Sequence, residues 1–232
     1  MRVAIMQPYL LPYIGYYQLA AAVDLFVVYD DVKYTKKGWI NRNRMLLNGR
    51  DATFSLPLRQ GGDQLDVRER TIDPGFEPRS LLERFRGAYG RAPHFAETFA
   101  VLERALGSPS RGLFDYLLHS LASVFPHLGI AAPLRVSSTL GVDRALRGQD
   151  RVLATCEAVG ATHYVNAIGG TALYERDAFR ARGIELAFLQ ARAFEYPQTG
   201  AAFVPWLSIV DVLMFNPPER VRERVAHGYD LL

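Results

Sequence analysis

Hydrophobic and polar positions change period several times along this chain, and the changes mark out its elements. Arg2 to Met6 is a nearly continuous apolar run that Gln7 and Pro8 end abruptly, the pattern of a strand buried on both faces. Tyr13 to Val23 then carries apolar residues at helical spacing, and Leu25 to Tyr29 is a second apolar run. Strand, loop, helix and strand in that order predict a crossover unit of a parallel sheet. The stretches Ala52 to Leu58 and Gln64 to Ile72, separated by Gly61, Gly62 and Asp63, predict a hairpin at the sheet edge. From Pro78 to Phe125 the period is helical, broken at Gly90 to Pro93 and at Gly107 to Pro109. Beyond Pro126 the alternation returns, with strands expected over Leu134 to Ser137, His163 to Asn166 and Glu185 to Leu189. Helices are expected over Asp150 to Val159, Ala172 to Arg182 and Ser208 to Phe215, ahead of a charged amphipathic end. The expectation is one α/β domain over 1–232, Rossmann-like, with a mostly parallel sheet and a mostly helical insertion at 77–128.

Composition narrows this picture without redirecting it. A chain of 232 residues with 49% hydrophobic and 22% charged residues is ordinary for a soluble globular protein and long enough to build a core without metals or disulfides. The single cysteine, Cys156, has no internal partner and reads as a packing residue of its helix. The opening residues lack the layout of a secretory signal and no apolar run reaches membrane-spanning length, so the expectation is a cytoplasmic protein with no membrane partner. Histidines 94, 119, 127, 163 and 227 show no metal-ligand spacing, and no metal is expected. There is no P-loop, no nucleophile elbow and no dinucleotide-binding glycine motif. The formal charge of +3 is mostly local, since Asp30 to Arg50 holds six Lys or Arg against two Asp. That concentration favours a small anionic substrate over nucleic acid.

The richest chemistry lies in Asp30 to Met45, where a dense polar cluster follows the apolar run of the second strand. Ligand crevices of open α/β sheets form beyond the carboxyl ends of strands. Lys33, Lys36, Lys37, Arg42 and Arg44 are candidate anion donors, with Trp39, Asn41 and Asn43 among them; the alternative is a solvated basic loop. Asp30 and Asp31 would point to opposite faces if the strand continued, leaving one to line the crevice. The loop Met6 to Gln18 offers Gln7, Tyr9, Tyr13 and Tyr16, with Gly15 permitting close backbone approach, and is expected to face the same crevice; the alternative is a tyrosine-rich packing loop. Asn166, Gly169 and Gly170 sit at a third strand end. Tyr196, Gln198, Ser208 and Asp211 form a fourth set, in which Asp211 either caps the last helix behind Ser208 or orients a basic residue. His163 is the histidine best placed by sequence to act as a base.

With these residues in view, the chain resembles the WbqC-like family through MQPYLLPYIGYYQL, YDDVKYTKKGWINRNRM, YVNAIGGTALY and Tyr196 through FVPWLSIVDVLMFN, in order, from Met6 to Asn216. The resemblance implies a bacterial biosynthetic enzyme of surface polysaccharide or natural-product pathways. It suggests acyl or aminoacyl transfer onto an amine, such as that of a nucleotide-linked amino sugar. No tightly bound cofactor is implied. The co-substrate would be a phosphopantetheine or coenzyme A thioester or ATP, and the partner an acyl carrier protein. In that chemistry the basic loop holds phosphates, Asp30, Asp31, Lys37 and His163 are the catalytic candidates, and Asn41, Asn43 or Gln7 stabilises an oxyanion. The opening strand, loop and helix also look like those of nucleotidylyltransferase-like enzymes, but Tyr13 and Tyr16 stand where that signature has histidines. An ATP-dependent ligase or nucleotidyltransferase is therefore the first alternative, and a non-catalytic module binding a nucleotide-sugar or carrier protein the second.

Overall fold

Apolar runs such as RVAIM and LFVV bury both faces only inside a covered parallel sheet, and the computed structural model, which describes residues 1–200 and 202–232, places them there. Strands β1 (Arg2–Met6), β2 (Leu25–Val28), β5 (Leu134–Val136), β6 (His163–Ala167), β7 (Glu185–Ala191) and β8 (Tyr229–Leu231) form one sheet in the order β5-β2-β1-β6-β7-β8. All pairs are parallel except β7 with β8. Successive residues face opposite sides: Val3, Ile5, Leu25 and Val27 pack with Cys156 and Phe179, while Ala4, Phe26 and Val28 belong to the larger core on the other face. The first face is covered by α5 (Gly148–Ala158) and α6 (Arg176–Arg180). The second carries α1 (Ile14–Ala21), α2 (Pro78–Tyr89), α3 (Phe95–Leu106), α4 (Leu113–Val124), α7 (Ile209–Phe215) and α8 (Pro218–His227). The result is a Rossmann-like α/β fold.

The expected hairpin over 52–58 and 64–72 is corrected. Strands β3 (Arg42–Leu47) and β4 (Arg50–Ser55) form a separate two-stranded sheet, and 64–72 holds a short 3-10 turn and isolated bridges. The turn is Asn48-Gly49, with φ of 52° and 74°, the left-handed pair that matches the twist of a two-residue hairpin. The basic segment is thus half loop and half strand, with Arg42 to Arg44 alternating across β3. The helix expected at 172–182 shrinks to α6 behind a 3-10 turn, and β8 forms the sheet edge that the sequence reading left as a charged tail.

Beneath the second face, the Asp211 carboxylate ties several segments together. It accepts from the Tyr89 hydroxyl at 3.0 Å, the Tyr196 hydroxyl at 2.7 Å and the Gln198 amide at 2.6 Å, while the Leu46 amide donates to Tyr89 at 2.7 Å. Asp211 is therefore neither the cap of α7, whose Ser208 hydroxyl accepts from the Val210 amide, nor the partner of a basic residue. Burial pushes its pKa up against the three hydrogen bonds. Asp211→Asn turns one acceptor into a donor facing other donors, and should cost about 1–3 kcal/mol in chemical denaturation. Because the folded-state pKa is raised, the ionisation of Asp211 lowers stability as pH rises from the unfolded carboxylate value through the folded one. The stability gap between wild type and Asp211→Asn should therefore narrow with rising pH over that interval; a gap that widens would refute the assigned environment.

Candidate functional site

Strand β1 runs beside β2 through Met6 but pairs with β6 only at Arg2 and Val3, so β1 and β6 part toward their carboxyl ends. The order of strands also reverses direction here, β2 lying on one side of the pair and β7 on the other. This is the switch point at which open α/β sheets bind ligands. A cleft of about 460 Å³ opens beyond the carboxyl end of β1, lined from that strand but not from β6. Met6, Gln7, Pro8 and Tyr9 make its floor, Gly38, Trp39, Ile40, Asn43 and Arg44 one wall, and Tyr13 with Trp206 the other. The structure thus brings together Gln7, Tyr9, Tyr13, Trp39, Asn43 and Arg44 from two loops far apart in sequence.

Hydrogen bonds hold these walls. Leu11 adopts φ 43°, a left-handed conformation that turns its carbonyl and that of Leu10 inward. The Asn43 amide donates to both, at 2.7 and 3.0 Å, and the Ser208 hydroxyl donates to the Leu11 carbonyl at 2.6 Å. Asn41 is spent likewise, donating to the Leu56 carbonyl and accepting from the Tyr34 hydroxyl. Arg42 braces the turn before it by donating to the carbonyls of Lys37 and Gly38. Arg44 donates to the Trp206 carbonyl at 3.1 Å and lies 3.3 Å from Asp51, with its guanidinium 5.5 Å from the Trp39 ring centre. Gln7 is exposed and its side-chain amide makes no hydrogen bond among the described residues. Trp206 stands at φ 61°, strained backbone for a bulky residue, and its ring is 5.2 Å from that of Tyr13.

Other sequence candidates lie elsewhere. Asp30 and Asp31 are 3% and 5% exposed, and instead of facing opposite ways both meet the Ser137 hydroxyl, at 2.9 and 2.6 Å. Ser138 and Arg68 complete the surroundings of Asp30, and Arg151 lies 2.6 Å from Asp31. Burial acts against the Asp31 carboxylate, but Ser137 and Arg151 outweigh it and hold its pKa below the ordinary value. Lys33 donates to Gln64, Lys36 pairs with Asp63, and Lys37 is exposed outside the cleft lining. His163 opens β6, at the opposite end of the sheet from the cleft, and lies 3.1 Å from Glu185. Tyr16 is buried against Tyr9 and Phe26. Asn166, Gly169 and Gly170 end β6, outside the cleft lining, with Asn166 accepting from the Ala167 amide. Tyr196, Gln198 and Ser208 serve the framework already described. A Cβ at Gly15 would crowd the Tyr13 ring at 3.3 Å, so the close approach there is internal. Burial pushes the Cys156 thiol up to about 12. Among the described residues no group of His, Cys, Asp and Glu is arranged to hold a metal, and no helix is long and apolar enough to cross a membrane.

Trp206 is the aromatic lining residue that sequence reasoning passed over. An isolated tryptophan after a proline, in a segment without helical or strand period, was the available signal.

The model of the WbqC-like protein family matches residues 7–223. Rv1507c, an uncharacterized protein of Mycobacterium tuberculosis, is 28% identical over 218 residues, 93% of each chain. No solved structure matches the chain.

Two amide side chains on the same cleft should behave oppositely. Asn43→Ala orphans the Leu10 carbonyl, leaves that of Leu11 with Ser208 alone, and should lose about 1–3 kcal/mol of stability. Gln7→Ala should stay within about 0.5 kcal/mol of wild type. Urea denaturation of both variants tests the division, and equal losses would contradict it.

Proposed function

This chain belongs to the WbqC-like protein family, and we propose that it transfers an acyl or aminoacyl group from an activated thioester to an amine, such as that of a nucleotide-linked amino sugar, in bacterial surface-polysaccharide or natural-product biosynthesis. The observation that carries this reading is the position of the chain's two tryptophans. Trp39 and Trp206 are 47% and 60% exposed, and both line the cleft beyond the carboxyl end of β1. Exposed aromatic faces on one concavity are a surface for a flat or ring-shaped ligand, a base or the C–H face of a sugar. Arg44 beside Trp39, though held by Asp51 and the Trp206 carbonyl, places a cation on the cleft lining within reach of a phosphate.

The chemistry suits the residues in the cleft. The free amine attacks the thioester carbonyl carbon, a C–N bond forms, and the C–S bond breaks. Charge that develops on the carbonyl oxygen needs a donor, and the unengaged Gln7 amide is the one of the three amide candidates not spent on the fold. The departing thiolate takes up the proton that the nitrogen loses, so the net transfer needs no resident base. That agrees with a cleft whose described lining has neither carboxylate nor imidazole.

The test is mass spectrometry of nucleotide amino sugars incubated with acyl and aminoacyl thioesters. Mass gain without ATP is expected, and Gln7→Ala should reduce kcat about 100-fold with folding intact. Arg44→Met should raise KM for the phosphorylated acceptor about tenfold. Gain that requires ATP and releases AMP or ADP would replace the reading with a ligase. Ligand-induced stabilisation without product would replace it with a binding module.

A further inference from the structure

Behind Trp206 lies a second cavity of about 370 Å³, walled by Tyr13, Ile14, Ala191, Tyr196 and Phe203 as well as by Trp206 itself. It shares only the Tyr13 and Trp206 pair with the cleft, so those two rings form a partition between them. At Arg192 and Phe194 it borders a polar bowl of about 410 Å³ that adds Arg220, Glu223, Arg224 and His227. Cleft, apolar cavity and basic bowl therefore adjoin in series, each neighbouring pair sharing two lining residues.

The bowl has a charge to offer. Arg192 is paired with Asp230, and Arg224 is turned inward onto the carbonyls of Arg192 and Ala193. Arg220 lies over the Phe194 ring at 5.2 Å and makes no ion pair among the described residues. Three arginines meet two acids, Glu223 and Asp230, and Arg224 keeps a buried Nε with no partner. Burial and the like charges of Arg192 and Arg220 lower the pKa of Arg224. The cavity itself is mainly aromatic and aliphatic, and Glu195 at its rim disfavours a phosphate inside it. A molecule fitting this series is anionic at one end, uncharged along its length and reactive at the other tip.

We propose that the bowl and cavity bind a phosphopantetheine thioester, with its phosphate on Arg220 and Arg224, its arm in the cavity behind Trp206, and its acyl carbonyl presented past the Tyr13 and Trp206 partition to the amine in the cleft. The inference rests on the transfer reading and adds the donor's site to it. Free coenzyme A and a carrier-protein arm share this chemistry.

Calorimetric titration of the full chain with coenzyme A, and separately with a nucleotide amino sugar, tests the assignment in wild type, Arg220→Glu and Ala193→Phe. Arg220 and Ala193 are exposed, and both variants should unfold within about 2 °C of wild type. Each should bind coenzyme A about tenfold more weakly, Arg220→Glu by losing a charge-assisted contact and Ala193→Phe by filling the cavity, and bind the nucleotide amino sugar as wild type does. A phosphopantetheine-loaded carrier protein, compared with the same carrier unmodified, separates the sources: tighter binding than coenzyme A, dependent on the arm, identifies the carrier, and binding of coenzyme A alone identifies the free thioester. The proposal is overturned if wild type binds neither thiol, or if both variants bind them as wild type does. Continued binding of the nucleotide amino sugar in those cases leaves the transfer reading standing, whereas its failure in wild type removes that reading.

Discussion

The site depends on one stretch of backbone, Leu10 to Pro12, being fixed from three directions. Asn43 of β3 and Ser208 at the head of α7 hold its carbonyls, the Leu10 amide donates to Ile40, and the Ile209 amide donates to Pro12. A left-handed leucine is costly in isolation and persists only where its surroundings over-determine it. Here the surroundings are the segments that make the two walls of the cleft. Holding the loop and shaping the site are consequently the same set of contacts, which explains why polar residues such as Asn43 and Ser208 cluster at the site without facing a ligand.

This dual use limited what could be read from the sequence. The opening crossover unit, the two-helix breaks at Gly90 and Gly107, and the strand at His163 were legible because period and turn residues agree there. The hairpin was missed although Asn48-Gly49 is a strong local signal, since the charge of Arg42 and Arg44 drew the segment toward a loop reading. Which polar residues are free is a question of partners, and partners are distant: Asp30 meets residues 107 and 108 positions away, and Asn43 meets Leu10 from 33 away. No single-sequence pattern reports those encounters. His163 illustrates the converse, because a residue can belong to the right strand and stand at the wrong end of it.

Asp30 and Asp31 show how a charged cluster at a strand end serves the scaffold. With Ser137, Ser138, Arg68 and Arg151 they clamp the carboxyl ends of β2 and β5 to the 3-10 turn after Asp66. Removing either partner of such a buried pair strands the other, so the group is maintained as a unit. The cleft is left with aromatic faces, one guanidinium and one unengaged amide, a set suited to positioning and charge stabilisation more than to proton abstraction.

The outermost strands of the six-stranded sheet, β5 and β8, are three residues each and carry Arg135 and Asp230. Short, charged margins offer little template for another chain to extend the ladder. Recognition at the ends of this sheet is therefore left to side-chain charge and shape rather than to shared backbone hydrogen bonds.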